Sequence, residues 1–127
     1  MTPLGARMRE LRRRRGVTQR DMAAALGVSP AYLSAFEHGR RGRPSWAMVQ
    51  KIIGYFNVIW DEADEIGRLA GISDPRVVVD TSGLSPRATR LANMLAARIG
   101  ELSEQELDAV SALLGEIAAR RPKQAKP

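Results

Sequence analysis

The chain contains no cysteine, a single histidine and few aromatic residues, which make up 5% of its 127 residues. Without cysteine, disulfide frameworks, thiolate nucleophiles and cysteine-based zinc sites are excluded. The lone His38 has no second imidazole with which to form a metal site. Aromatic side chains are also too sparse for recognition of single-stranded nucleic acid or RNA by stacking.

The sequence also lacks long apolar runs and the local signatures of common enzymes. No stretch approaches the length that crosses a bilayer, and the N-terminus leads into arginines rather than into the apolar segment of a signal peptide. We therefore expect a cytoplasmic protein without a membrane partner. No metal-ligand cluster, phosphate-binding glycine loop or Ser-His-carboxylate signature is present, so we expect neither an enzyme nor a cofactor.

Positive charge is concentrated in the first third of the chain. Residues 1–44 hold ten arginines against three acidic residues, whereas the remainder holds ten basic and eleven acidic residues. A localised basic patch is typical of a protein that binds a polyanion such as nucleic acid. The alternative is a solvated basic face that aids solubility.

Apolar periodicity and capping residues predict an all-α fold. Five helices are expected before residue 72: 3–15, a short helix after Thr18, another after Ser29, one from Ser45, and one over 59–70. Trp46 and Trp60 are interpreted as core or helix-edge residues. We interpret the stretch 73–83 as a linker, and its β-branched run 77–79 favours a short extended segment.

Two further helices are predicted within 84–121, beginning at the caps Ser85 and Ser103. We interpret them as a dimerisation hairpin, because each has an apolar stripe too narrow for a buried core helix and neither forms a long coiled coil. The alternative is packing within the chain against the first domain. The basic tail 122–127 is expected to be disordered. The predicted dimerisation residues are Leu91, Leu95, Ile99, Leu107, Val110, Leu114 and Ile117.

The segment between Val17 and Glu37 places two short helices around a tight turn of Gly27, Val28 and Ser29. A turn of this length sets two helices at a steep angle. In that arrangement the second helix can enter the DNA major groove while the first crosses the backbone.

These residues resemble the Cro/CI-type (XRE) helix-turn-helix family of lambda-repressor-like regulators. The resemblance covers roughly residues 4–71, and it rests on matching positions at fixed spacing: Leu11, Arg12, Thr18, Gln19, Ala23, Leu26, Gly27, Val28, Ser29, Leu33, Glu37, Gly39 and Pro44. It implies a five-helix DNA-binding domain and a buried ion pair between Arg12 and Glu37. The two-helix dimerisation hairpin would follow this domain.

The resemblance also implies which residues contact double-stranded DNA. Gln19 matches a position that bonds a phosphate or a base edge, and the loop arginines match a loop that touches the backbone. The matched contact positions are Gln19, Ser29, Pro30, Ala31, Tyr32, Ser34, Ala35, Arg40, Arg41 and Arg43. To these we add neighbouring residues suited to phosphate: Arg13, Arg14, Arg15, Arg20 and His38.

The sequence departs from the family pattern on the exposed face of the second helix. Pro30, Ala31 and Ala35 stand where family members often carry glutamine, so they cannot make the two-point contact that an amide makes with adenine. Direct readout is therefore expected from Gln19, Tyr32, Ser34 and His38, with DNA shape supplying the remaining specificity.

The expected function is that of a transcriptional regulator, a repressor that binds an inverted-repeat operator as a homodimer. One alternative is an antitoxin whose C-terminal helices bind a toxin and whose N-terminal domain represses its own operon. Another is an architectural DNA-binding protein with little sequence preference. A toxin or RNA polymerase is the protein partner considered beyond the second copy.

Overall fold

The computed structural model describes residues 1–121, and in this part of the chain it is entirely helical, with no strand. The predicted disordered tail, 122–127, lies outside the described residues. The helices are α1 (Pro3–Arg15), α2 (Gln19–Leu26), α3 (Pro30–Glu37), α4 (Trp46–Phe56), α5 (Asp61–Gly71), α6 (Pro86–Arg98) and α7 (Glu104–Arg120), with a 3-10 turn at Ile99–Glu101 before α7. The predicted all-α fold is confirmed.

The helix starts follow from local capping chemistry. The Thr18 hydroxyl accepts from the Asp21 amide while the Asp21 carboxylate accepts from the Thr18 amide, and Ser103 and Glu106 repeat this arrangement before α7. Each exchange satisfies two amides that have no partner inside the helix. The helix starts predicted after Thr18 and at Ser103 are confirmed.

The chain divides into two units, an N-terminal unit (Met1–Val78) and a C-terminal unit that begins at Val79. The division falls inside the predicted linker 73–83. Ser73, predicted as the first linker residue, is buried in the N-terminal unit, where its hydroxyl accepts from the Leu4 amide at 2.9 Å and donates to the Leu69 carbonyl. The expected extended piece at 77–79 forms no strand, and its three valines are exposed.

The five helices of the N-terminal unit close a ring around one apolar core. In this ring α1 lies between α3 and α5, α2 lies between α3 and α4, and α4 also contacts α5. Every helix therefore contributes to the same cluster: Leu4, Met8, Leu11, Met22, Ala23, Leu26, Leu33, Phe36, Met48, Val49, Ile52, Phe56, Val58, Ile66 and Ala70.

The core interpretation of the two tryptophans is wrong. Trp46 is 77% exposed and Trp60 is 81% exposed. Trp46 is the first residue of α4, so it lies at the end of that helix's apolar stripe, beyond the packed part of the core. Trp60 precedes α5 with φ 55°, and this positive φ belongs to a loop turn rather than to the helix face.

The C-terminal unit has no core of its own. α6 and α7 make few contacts with each other, and none of the described residues from Val79 to Arg121 is buried. Among the described helices, none has both the length and the apolar character needed to cross a membrane.

Replacing Gly5 by alanine should destabilise the N-terminal unit. A Cβ at residue 5 would lie 2.1 Å from the Glu37 carbonyl oxygen, and this oxygen is fixed because it accepts from the Thr2 amide and hydroxyl. We expect a loss of about 1–3 kcal/mol in the free energy of unfolding, since overpacking outweighs the higher helix propensity of alanine.

Urea denaturation followed by circular dichroism measures this loss, and Gly54→Ala in α4 is the matched control. A Cβ at residue 54 meets nothing within 4 Å, so this variant should gain up to about 1 kcal/mol. Equal stability of the two variants would contradict the close approach of α1 to α3.

Candidate nucleic-acid interface

The α2–α3 pair forms the predicted helix-turn-helix. Gly27 ends α2 with φ 75°, a left-handed conformation that glycine adopts without a steric penalty, and the Val28 amide then donates to the Ala23 carbonyl at 3.0 Å. The Ser29 hydroxyl accepts from the Tyr32 amide at 3.0 Å and so caps the start of α3. Gly27, Val28 and Ser29 therefore change the chain direction between the two helices in three residues.

The predicted contact residues of α3 differ in their exposure to solvent. Ser29, Pro30 and Ala31, at its leading end, are exposed, whereas Tyr32, Ser34 and Ala35 are half-buried. The opposite face of α3 is buried and holds Leu33, Phe36 and Glu37. The short side chains at the leading end leave the backbone of α3 open to close approach by a ligand.

A buried ion pair fixes the end of α3. Arg12 donates to both carboxylate oxygens of Glu37, with N–O distances of 2.7 and 3.0 Å, and Glu37 is fully buried. The planar guanidinium fork matches the carboxylate, which makes the pair bidentate. The ion pair implied by the family resemblance is confirmed.

The side-chain amide of Gln19 also hydrogen-bonds to the Glu37 carboxylate. Its Nε2 donates to Glu37 Oε1 at 3.1 Å, and its side chain is half-buried at the start of α2. One amide proton and the amide oxygen remain available for an external partner. The sequence predicted Gln19 as a contact residue and did not reveal this internal bond.

The loop after α3 places its three arginines at the surface. Arg40, Arg41 and Arg43 are all exposed, and the Arg41 Cζ lies 4.2 Å from the centroid of the Tyr32 ring. The structure thus joins two predicted contact residues from different segments. The exposed His38 donates from Nδ1 to the Ser34 carbonyl at 2.8 Å.

The arginines at the end of α1 form a second group, directly before the turn that leads into α2. Arg13 and Arg14 both donate to Glu10, at 2.7 and 3.3 Å for the ion pairs. The hydrogen bond from Arg13 holds the pKa of the Glu10 carboxyl below its usual value, and the carboxylate offsets part of this positive charge. Arg15 instead lies over Phe56, 5.8 Å from the ring centroid, and Arg20 is exposed on α2.

Two further residues that position α3 and α1 were not identified from the sequence. Thr2 caps α1 and its amide donates to the Glu37 carbonyl at 3.0 Å, while Ser73 binds the Leu4 amide. The Thr-Pro pair at the N-terminus was a detectable capping signal for Thr2. Within residues 1–121, no group of three or more His, Asp or Glu side chains could hold a metal ion.

Replacing Glu37 by leucine should strongly destabilise the N-terminal unit, because it leaves the buried Arg12 guanidinium without a counter-charge. We expect a loss of about 3–5 kcal/mol in the free energy of unfolding, measured by urea denaturation. The double variant Arg12→Met with Glu37→Leu should lose clearly less, because it buries no unpaired charge. The single variant Arg12→Met completes the comparison. If the loss in the double variant equals the sum of the losses in the two single variants, the two side chains are not coupled.

Comparison with known proteins supports the assignment of this region. The sequence model of the family described as "Helix-turn-helix domain" matches residues 3–69. A Bacillus subtilis (strain 168) protein named "Uncharacterized HTH-type transcriptional regulator RghRB" is 38% identical over 61 residues, which cover 48% of this chain and 44% of that protein. A second protein of the same strain, "Uncharacterized HTH-type transcriptional regulator YazB", is 40% identical over 58 residues, which cover 46% of this chain and 83% of that protein.

The chain thus spans less than half the length of the first relative. No solved structure matches it significantly. The matched family region contains α1 to α4, the turn between α2 and α3, and nearly all of α5. The chain therefore belongs to the helix-turn-helix domain family, as its resemblance to XRE-type helix-turn-helix proteins predicted.

Proposed function

We propose that the protein is a sequence-specific repressor that binds an inverted-repeat operator as a homodimer. The observation that carries this proposal is the combination, on one α2–α3 pair, of an exposed leading end of α3 and a loop of exposed arginines. A helix with small residues at its leading end can enter the major groove closely, and arginines beside it can bind the phosphates. Occupation of a promoter would then exclude RNA polymerase.

The proposed DNA contacts divide into two groups. Side chains of Gln19, Tyr32, Ser34 and His38 would read base edges, while Ser29, Pro30, Ala31 and Ala35 would allow close approach or touch thymine methyl groups. The phosphate contacts would come from Arg13, Arg14, Arg15, Arg20, Arg40, Arg41 and Arg43. The excess of arginine in residues 1–44 supports this second group.

The C-terminal unit supports dimerisation because its apolar side chains are left without partners. Of the predicted dimerisation residues, Leu91, Leu95, Ile99, Val110 and Leu114 are exposed, and Leu107 and Ile117 are half-buried. Helices of 13 and 17 residues without a packed face are marginal in water. Burial of these stripes against another molecule would stabilise both helices.

The charges of the two helices favour a second copy of the chain as that molecule. α6 carries three arginines and no acidic residue, whereas α7 carries four acidic residues and one arginine. Because α6 and α7 of one chain make few contacts, the α7 helix of a second copy can lie against α6. A two-fold arrangement makes this favourable pairing twice.

A symmetric dimer presents two copies of α3, and their separation decides the operator. Two-fold related helices that read the same face of DNA are about 34 Å apart, one helical turn. The expected binding site is therefore an inverted repeat with half-sites about ten base pairs apart.

Selection from a random pool of double-stranded DNA tests sequence-specific binding. We expect enrichment of an inverted repeat with this spacing, and an affinity for it that falls steeply as salt is raised. Strong, salt-sensitive binding without an enriched motif would contradict the repressor proposal. It would favour the architectural interpretation instead.

Replacing Leu95 by glutamate should dissociate the dimer, because it places a charge in the α6 stripe that the proposed dimer would bury. The dimer dissociation constant should rise at least about 100-fold in sedimentation measurements, and the affinity for the inverted repeat should fall with it. The matched control is Ala97→Glu, which adds the same charge to the opposite side of α6 and should leave both unchanged. A wild-type chain that stays monomeric at high concentration would refute dimerisation.

A further inference from the structure

α3 carries few of the side chains that read base pairs by two hydrogen bonds at once. Its sequence from Pro30 to Glu37 contains no arginine, lysine, asparagine or glutamine, and its only carboxylate, Glu37, is buried. The amide of Gln19 is partly used by Glu37. Bidentate readout from the two helices is therefore limited to what remains of one shared amide.

The loop after α3 brings a side chain that can donate two hydrogen bonds at once, the guanidinium of Arg41, to the leading end of the helix. Arg41 lies over the Tyr32 ring, with its Cζ 4.2 Å from the ring centroid, and Tyr32 is in the first turn of α3. An arginine uses its flat face in such a stack, which leaves the N–H groups along its edge free to donate.

The backbone holds both members of this stack in place. The Arg40 amide donates to the Ala35 carbonyl at 2.9 Å, which folds the loop back onto α3. Gly42, with φ 74°, donates to the Gly39 carbonyl at 3.1 Å, so Arg41 sits inside a closed turn. The first turn of α3, which carries Tyr32, is capped by Ser29, whose hydroxyl accepts from the Tyr32 amide.

We propose that Arg41, held on the ring of Tyr32, reads a guanine in each half-site. This inference rests on the proposed function, and it moves Arg41 from the phosphate contacts to the base contacts and Tyr32 from base readout to positioning. The fork of the guanidinium donates to O6 and N7 of guanine, which is the most frequent specific contact in the major groove. Tyr32 is the positioning residue, because its ring fixes the plane of the guanidinium.

The test measures binding of purified full-length variants to the sequence that the wild type selects. Each guanine of a half-site is replaced in turn by adenine or by 7-deazaguanine, which lacks the N7 acceptor. At one guanine the wild type should lose about 10- to 100-fold in affinity. Arg41→Ala and Tyr32→Leu should each lose most of this discrimination, and the double variant should lose no more than either.

Two control variants separate readout from charge and from folding. Arg40→Ala removes the same charge from the same loop, and it should weaken binding to all sequences alike while keeping the discrimination at that guanine. Tyr32→Phe keeps the ring and should also keep the discrimination. Thermal unfolding followed by circular dichroism shows whether Tyr32→Leu is folded. If Tyr32→Leu is unfolded, the binding data for Arg41→Ala decide the inference.

The outcomes distinguish this inference from the proposed function. If Arg41→Ala keeps the wild-type discrimination at every guanine and loses affinity uniformly, Arg41 is a phosphate contact and the inference is overturned alone. If the selected motif contains no guanine in its half-sites, the inference also fails while the repressor proposal stands. If the wild type enriches no motif, both fail together.

Discussion

The packing of the helix-turn-helix in this molecule depends on the carboxylate of Glu37. It is buried at the end of α3, and it accepts hydrogen bonds from Arg12 of α1 and Gln19 of α2. A buried charge is tolerated only when it is paired and fully bonded, so the three helices are constrained to meet at this group. The carbonyl of the same residue accepts from Thr2, which adds the start of α1 to the same junction. The junction therefore ties the C-terminal end of α3 to α1 and α2, while the leading end of α3 stays exposed.

The side chain of Gln19 takes part in this junction and is also a proposed DNA contact. Gln19 lies where the family resemblance implies a DNA contact, yet one of its amide protons is bound to Glu37. The internal bond orients the amide, which would lower the entropy lost in the proposed contact with DNA, but it also removes a donor. The stack of Arg41 on Tyr32 places a second polar group, from a different segment, at the other end of the same surface. In the proposed complex, Gln19 and Arg41 would therefore supply the base contacts that α3, with few polar groups of its own, lacks.

The two units of the chain differ in how much apolar surface they bury. The N-terminal unit buries fifteen apolar side chains in one cluster, so its fold is complete within the chain. The C-terminal unit has good capping and regular apolar stripes but buries none of its described residues. Helix propensity and caps contribute about 1 kcal/mol each, too little to order such helices without packing. In the proposed dimer, a second copy of the chain would supply the apolar surface that stabilises them.

The sequence by itself determined the features that arise within a few residues of chain. The caps at Thr18 and Ser103, the seven helices and the core stripes all follow from contacts between residues three or four apart, which a linear pattern records. The tertiary structure alone decided that Trp46 is exposed, that Gln19 binds Glu37 and that Arg41 lies on Tyr32. Each of these depends on the angles between helices and on the path of a loop. Those are set by the simultaneous packing of all five helices around one core, which no local pattern encodes.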